Sequence, residues 1–228
     1  MFGNKKKKET VQEETVKKEQ NNFLRKKTIK EIIAPAGIDA SNIDHLEIIS
    51  NAKRYARSFF VSQLPRMCTF PELFRDLYLF GDINTSIYIN PIKEERSQNE
   101  LNRTINELET ERIVAMDKGN INRESTITQK RLEAERLRDE IAAGFNKLYE
   151  ASVVSTLFAY NLEDLDRDTK MLISEMSKTL VNIKTAWGMQ EEAFQSNLPL
   201  LDDKIKKTHT FDRNSMGTVF PFTTSEVG

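Results

Sequence analysis

The chain has 228 residues, 30% of them charged and 38% hydrophobic, and a formal net charge of -1. That length allows one large domain or one domain with appendages, and the polarity implies that part of it lies outside any core. Overall near-neutrality excludes a general polyanion binder. The single cysteine, Cys68, excludes an internal disulfide, and no uncharged run exceeds the 12 residues of Ala151 to Leu162, short of the roughly 20 that span a bilayer.

The charge is unevenly spread. Residues 1–30 hold ten lysines and arginines against four glutamates, a local +6, which leaves -7 on the remaining 198 residues. Residues 1–27 are polar and low in complexity, and we expect a basic, disordered arm there. An arm of this kind on an acidic body suits contact with anionic lipid, while the acidic body argues against direct nucleic-acid binding. The basic run has no apolar segment behind it and so is not a signal peptide.

Thr28 to Ile33 reads as a short helix stopped by Pro35-Ala36-Gly37. His45–Ser50 and Arg54–Leu64 read as two strands joined by a turn at Asn51-Ala52-Lys53. Pro65 ends the second. Thr69 is then placed to cap a helix over 70–78, with Pro71 in its first turn and Gly81-Asp82 closing it. From Ile83 to Asn90 the pattern alternates, with Ile83, Thr85, Ile87 and Ile89 on one face and Ser86 and Tyr88 on the other, as in a half-buried strand. These elements make a first α/β half over 28–92.

Residues 93–150 depart from that pattern. They are highly charged, helical in period and broken once, at Lys118-Gly119-Asn120. Leu101, Ile105, Leu108 and Met116 mark the inner face of a first arm. Ile127, Ala134, Leu137, Ile141 and Leu148 mark that of a second, near heptad spacing. This predicts a helical hairpin inserted into the domain. The thin seam leaves open whether the hairpin projects or lies flat as two ordinary helices.

Ala151–Asn161 is the strongest strand signal in the chain, a continuous apolar run rich in β-branched residues. A helix follows from Asp164, with Leu165, Leu172, Met176 and Leu180 inward, then a strand over Val181–Trp187 and a helix over Met189–Ser196. Residues 151–228 therefore form a second α/β half. The expected fold is α+β: two βαβ halves in a ferredoxin-like, split βαβ arrangement, with the hairpin between them.

No catalytic, cofactor-binding or metal-binding residue is assigned. No glycine begins a GxxxxGK[ST] or GxGxxG pattern. His45, His209 and Cys68 lack metal-ligand spacing. Glu191-Glu192 and Asp202-Asp203 read as solvated pairs, and Cys68 as a small buried residue without a catalytic partner. The aromatics, among them Phe59, Phe60, Phe74, Tyr78 and Tyr88, fall at core spacings. Trp187 is weighed between core and contact, with core favoured.

Several stretches together resemble one family. Arg54-Tyr55-Ala56-Arg57-Ser58-Phe59-Phe60-Val61 with Leu64-Pro65, the strand Val153–Tyr160, Gln195-Ser196-Asn197-Leu198-Pro199, and Asp212-Arg213-Asn214-Ser215-Met216 running to Phe220-Pro221-Phe222 are similar, in order and spacing, to the amino-terminal domain of conjugal transfer ATPases. These are the TraC/TraE-like motors of type IV secretion systems. The resemblance implies a HerA/FtsK-class motor domain lying beyond these residues and holding ATP and Mg. The part present here would then be a non-enzymatic lead-in that docks the motor to inner-membrane secretion-channel proteins and assists assembly with other subunits of the same ATPase. It implies a cytoplasmic protein, peripheral at the membrane, whose partners include its own motor domain. Read without the resemblance, the same features describe a stand-alone coiled-coil adaptor with a small α/β head.

Overall fold

The computed structural model describes residues 36–49, 53–65, 68 and 72–219. The expected basic arm, the helix at Thr28–Ile33, the cap at Thr69 and the Phe220-Pro221-Phe222 stretch lie outside them.

Seven strands and six helices follow one another among the described residues. They are β1 (Gly37–Asp39), β2 (Leu46–Ile49), β3 (Arg54–Gln63), α1 (Arg75–Leu79), β4 (Ile83–Pro91), α2 (Glu94–Asp117), α3 (Ile121–Ala142), β5 (Tyr149–Ala159), α4 (Leu162–Lys178), β6 (Asn182–Thr185), α5 (Gln190–Ser196), β7 (Thr208–Phe211) and α6 (Arg213–Gly217). The chain is thus mixed α/β, with a long helical pair between β4 and β5.

One antiparallel sheet joins all seven strands. Its path runs β1-β2-β3-β5-β4; β6 adds to β3 and β7 to β5. Strand β3 is flanked on one side by β2 near Ala56 and by β6 near Val61. On its other side it pairs with β5 from Tyr55 to Phe60. Beyond Val154, β5 continues alongside β7, pairing Ser152 with Thr208 and Tyr149 with Phe211. The expected β2–β3 hairpin and the alternation along β4 are both present.

The period-two geometry of strands sends alternate side chains to opposite faces. Phe59 and Val61 of β3, Ala151, Val153 and Leu157 of β5, and Ile183 of β6 meet Leu77 of α1 and Leu165, Leu172 and Met176 of α4 in the main core. On the other face Val154 packs with Ala186, Ala193 of α5 and Ile205. Gln190 pins α5 there: its side chain accepts from Ser58 N at 2.8 Å and donates to Ser58 O at 3.3 Å.

Helix α1 is shorter than the expected 70–78 helix. It begins after Phe74, without a side-chain cap, so the proline-led first turn is not part of the described helix. Leu180, expected inside the core, is 68% exposed and has φ +60°. It stands one residue past the cap of α4, where Leu180 N donates to Ser177 O and Val181 N to Met176 O. This Schellman-type ending buries Val181 against Met176 and turns Leu180 outward.

Candidate interaction surface

The hairpin is the structure's most distinctive surface. Helices α2 and α3 have 24 and 22 residues, so they extend about 36 and 33 Å. Their reversal is compact because one turn ends the first helix and starts the second. Gly119, at φ +64°, donates to Met116 O, and Asn120 N reaches Ala115 O. The Asn120 side chain then accepts from Arg123 N and caps α3.

Each helix mainly contacts the other. The inward positions of α2 are Ser97, Leu101, Ile105, Leu108, Arg112 and Ala115; those of α3 are Glu124, Ile127, Arg131, Ala134, Leu137 and Ile141. Their spacing of three and four is that of a heptad seam. Three of these positions are charged. Arg112 bonds Glu109 at 2.8 Å and faces Glu124 on α3 at 3.5 Å; Arg131 faces Glu109 across the seam at 3.6 Å and bonds Glu135 at 2.8 Å. The hydrogen bond from Arg112, with the charges of Arg112 and Arg131, outweighs desolvation and holds the Glu109 carboxyl below its usual range. A polar layer of this kind contributes little to stability but disfavours sliding of one helix along the other.

Two expected seam residues are placed elsewhere. Met116 is 53% exposed, and Ala115 takes the inward position beside it. Leu148 lies past the end of α3, where it packs with Ile92 and Ile141 beneath the hairpin. Apolar periodicity alone missed Arg112, Arg131 and Glu124, because charged residues at seam positions look like solvated face.

The hairpin is fastened at its base. Ile92, Ile141 and Leu148 form a small cluster with Leu101 and Leu137. Arg96 bonds Glu150 at 2.9 Å, and Asn146 Oδ1 accepts from Arg213 N at 3.0 Å. Above this base an open groove of about 900 Å³ separates the flank of α3, at Glu133, Arg136 and Leu137, from Leu64, Pro65, Cys68 and Asp212 of the body. The helices therefore do not lie flat on the sheet. Toward the tip Ile113, Val114, Met116 and Ile121 are exposed. The two helices are highly charged: α2 carries seven acids and three bases, α3 five of each, and all but a few of these charges lie outside the seam.

Residues considered for chemistry are dispersed. His45 Nδ1, just before β2, meets Asp44 at 2.8 Å, whereas His209 Nε2 on β7 meets Val61 O at 3.0 Å. Burial, with the charge of Asp212, pushes the Cys68 thiol up, which keeps it protonated. Glu191, Glu192 and Asp202 are exposed; Asp203 accepts from Ile205 N and Lys206 N in a turn. Trp187 is not core: it is 65% exposed, beside the Gly188 N to Ile43 O hydrogen bond. Among the described residues no group of three His, Cys, Asp or Glu is placed to hold a metal, and no helix is long and apolar enough to cross a membrane. No protein-family model matches the chain, and no curated protein is significantly similar to it.

Proposed function

We propose that this chain is a protein-docking domain whose helical hairpin is the contact surface, acting as the non-catalytic amino-terminal domain of a conjugative DNA-transfer ATPase. The observation that carries the docking role is the hairpin itself, fastened by Leu148 and Arg96 at its base and separated from the body by an open groove. A solvated, register-fixed helical pair of this length adds little to the core of the domain. It presents a large charged surface suited to a specific partner. The assignment to a conjugation ATPase rests on the sequence resemblance.

On this reading the hairpin engages inner-membrane secretion-channel proteins, ATP and Mg belong to the motor domain, and the site of action is the cytoplasmic face of the membrane. With α1 between β3 and β4 and α4 between β5 and β6, the order β6-β3-β5-β4 supports a split βαβ, ferredoxin-like core carrying β1, β2 and β7 as additions. The adaptor alternative is less well supported, because the apolar seam it would use to dimerise is already occupied within the chain.

The test is recruitment to membranes from cells that carry the secretion channel. The 228-residue chain should sediment with those membranes and not with membranes lacking the channel. Arg103→Glu with Arg136→Glu, both highly exposed on the hairpin, should release it without lowering its melting temperature. Recruitment that ignores the channel and these charges, or tight ATP binding by this chain alone, refutes the proposal.

A further inference from the structure

We infer that β4 is a self-recognition edge, at which two copies of this chain pair antiparallel through their β4 strands and continue one sheet into the other. This is independent of what the hairpin binds.

The sheet's exposed edges differ sharply in length. Strand β1 has three residues, and β6 and β7 have four each; short edges are poor templates for pairing. Strand β4 has nine, Ile83–Pro91, and ends the strand path with β5 on one side only. Its sequence, Ile-Asn-Thr-Ser-Ile-Tyr-Ile-Asn-Pro, contains no charge in a chain where 30% of residues are charged. Edge strands are ordinarily protected by lysine, by proline, by an inward charge or by a bulge. The β4–β5 register runs unbroken from Ile83 to Pro91, and the only such device in it is Pro91 at its last position, which leaves the open edge from Ile83 to Ile89 unguarded.

The register also says which backbone groups are free. Phe158 N donates to Asp82 O, so Asp82 and Phe158 form a hydrogen-bonded pair. Alternation then turns the even-numbered residues of β4 toward β5 and the odd-numbered ones outward. The N–H and C=O groups of Ile83, Thr85, Ile87 and Ile89 face the open edge, and among the described residues no backbone group pairs with them. Pro91, which has no N–H, falls on the outward side, where its loss disturbs no bond to β5.

A second copy fits this edge better than an arbitrary strand, because the sequence is compatible with two-fold pairing about Ile87. In that register Ile87 faces Ile87 of the other copy and Thr85 faces Ile89, with no like charges opposed. Lys93 of each copy comes within one position of Asp82 of the other, an added attraction for a carboxylate that Arg54 already pairs within its own chain. The hairpins leave from opposite ends of the paired strands, about 30 Å apart, and do not collide.

Sedimentation of the 228-residue chain across a concentration series tests the inference. A dimer is expected. Ile89→Pro removes one outward N–H at an exposed position, leaves the ladder to β5 intact, and should raise the dimer dissociation constant at least tenfold. In a Cys68→Ser background, Ile87→Cys should form an intermolecular disulfide, since hydrogen-bonded antiparallel pairs stand about 5.5 Å apart at Cα, within disulfide reach. A chain that stays monomeric throughout overturns the inference. So does a dimer unaffected by Ile89→Pro that gives no Ile87→Cys cross-link, or a monomer that dimerises only when residues 220–228 are removed, which would make that segment the occupant of the edge.

Discussion

Arg57 and Asp166, 109 positions apart in the chain, meet at 2.8 Å on the face of the sheet covered by α4. The same guanidinium bonds Thr169 Oγ1 at 3.1 Å, Asp44 Oδ2 at 2.7 Å and Asp44 O at 3.0 Å. Arg57 is only 6% exposed, yet every bonding nitrogen of its planar fork has an oxygen partner. It thus ties β3, the loop before β2 and the helix that follows the hairpin insertion into one unit. The hairpin can then be loaded by a partner without separating the parts of the domain on either side of it.

Arg57→Ala should therefore destabilise the domain by about 2 kcal/mol. Removing one member of a buried charged network leaves its partners unpaired, but Asp166 is more than half exposed and rehydrates, which keeps the cost below that of a fully buried pair. Arg57→Lys should recover little, because a single ammonium cannot span three partners. The measurement is the urea midpoint of each variant. Equal midpoints for wild type and Arg57→Ala would remove the clamp from the account.

The same cluster predicts an acid limb. Burial pulls the Asp44 carboxyl upward, but the hydrogen bond with His45 and the charge of Arg57 outweigh it and hold the group below its usual range. Asp212, which caps α6, is also held low: hydrogen bonds from Ser215, Asn214 and Asn146 overcome its burial. A carboxylate lowered in the folded state stabilises above its unfolded value near 3.9 and loses that contribution as pH falls through the folded value. Stability should thus drop below about pH 4. Asp44→Asn should be less stable at pH 7 and show a shallower acid drop. Parallel curves for variant and wild type would mean that the Asp44 charge contributes nothing.

The hairpin should melt separately from the sheet. Ile127, 4% exposed, is the central apolar residue of α3 in the seam. Ile127→Asp buries a carboxylate in the apolar seam, where the neighbouring inward cation, Arg131, is already engaged with Glu109 and Glu135. We expect lost helical circular dichroism and rapid proteolysis within 94–142, while the remaining elements keep a cooperative transition. Global unfolding of the variant would instead make the hairpin part of the folding core.

The elements that sequence reasoning located are those with strong, local causes. The strand β5 has its apolar run, α4 its four-residue spacing, and the hairpin its period and its glycine turn. What it missed depends on distant partners. Strand β7, Thr-His-Thr-Phe, buries only Phe211 and exists because β5 extends past the end of its pairing with β3. Strand β1 is three residues held by β2. Arg57 sits in a stretch quoted only for its resemblance, and nothing local marks it as buried; its partners lie 13, 109 and 112 positions away. The charged hairpin seam was missed for the same reason, since its counter-charges come from the opposite helix.

The end of α4 gives the sharpest disagreement between sequence and conformation, and so a prediction opposite in sign to the others. Leu180 occupies the left-handed position after the cap, which glycine fills at the Gly119 turn. A side chain at positive φ costs about 1 kcal/mol, and at 68% exposure the leucine recovers little by burial. Leu180→Gly should raise stability by about 0.5 kcal/mol, the relief of strain being partly offset by the greater freedom of glycine in the unfolded chain. Leu180→Ala should do much less, since alanine keeps the Cβ that causes the strain. Urea midpoints of the two variants check this: if glycine does not exceed alanine, Leu180 is not strained where it stands.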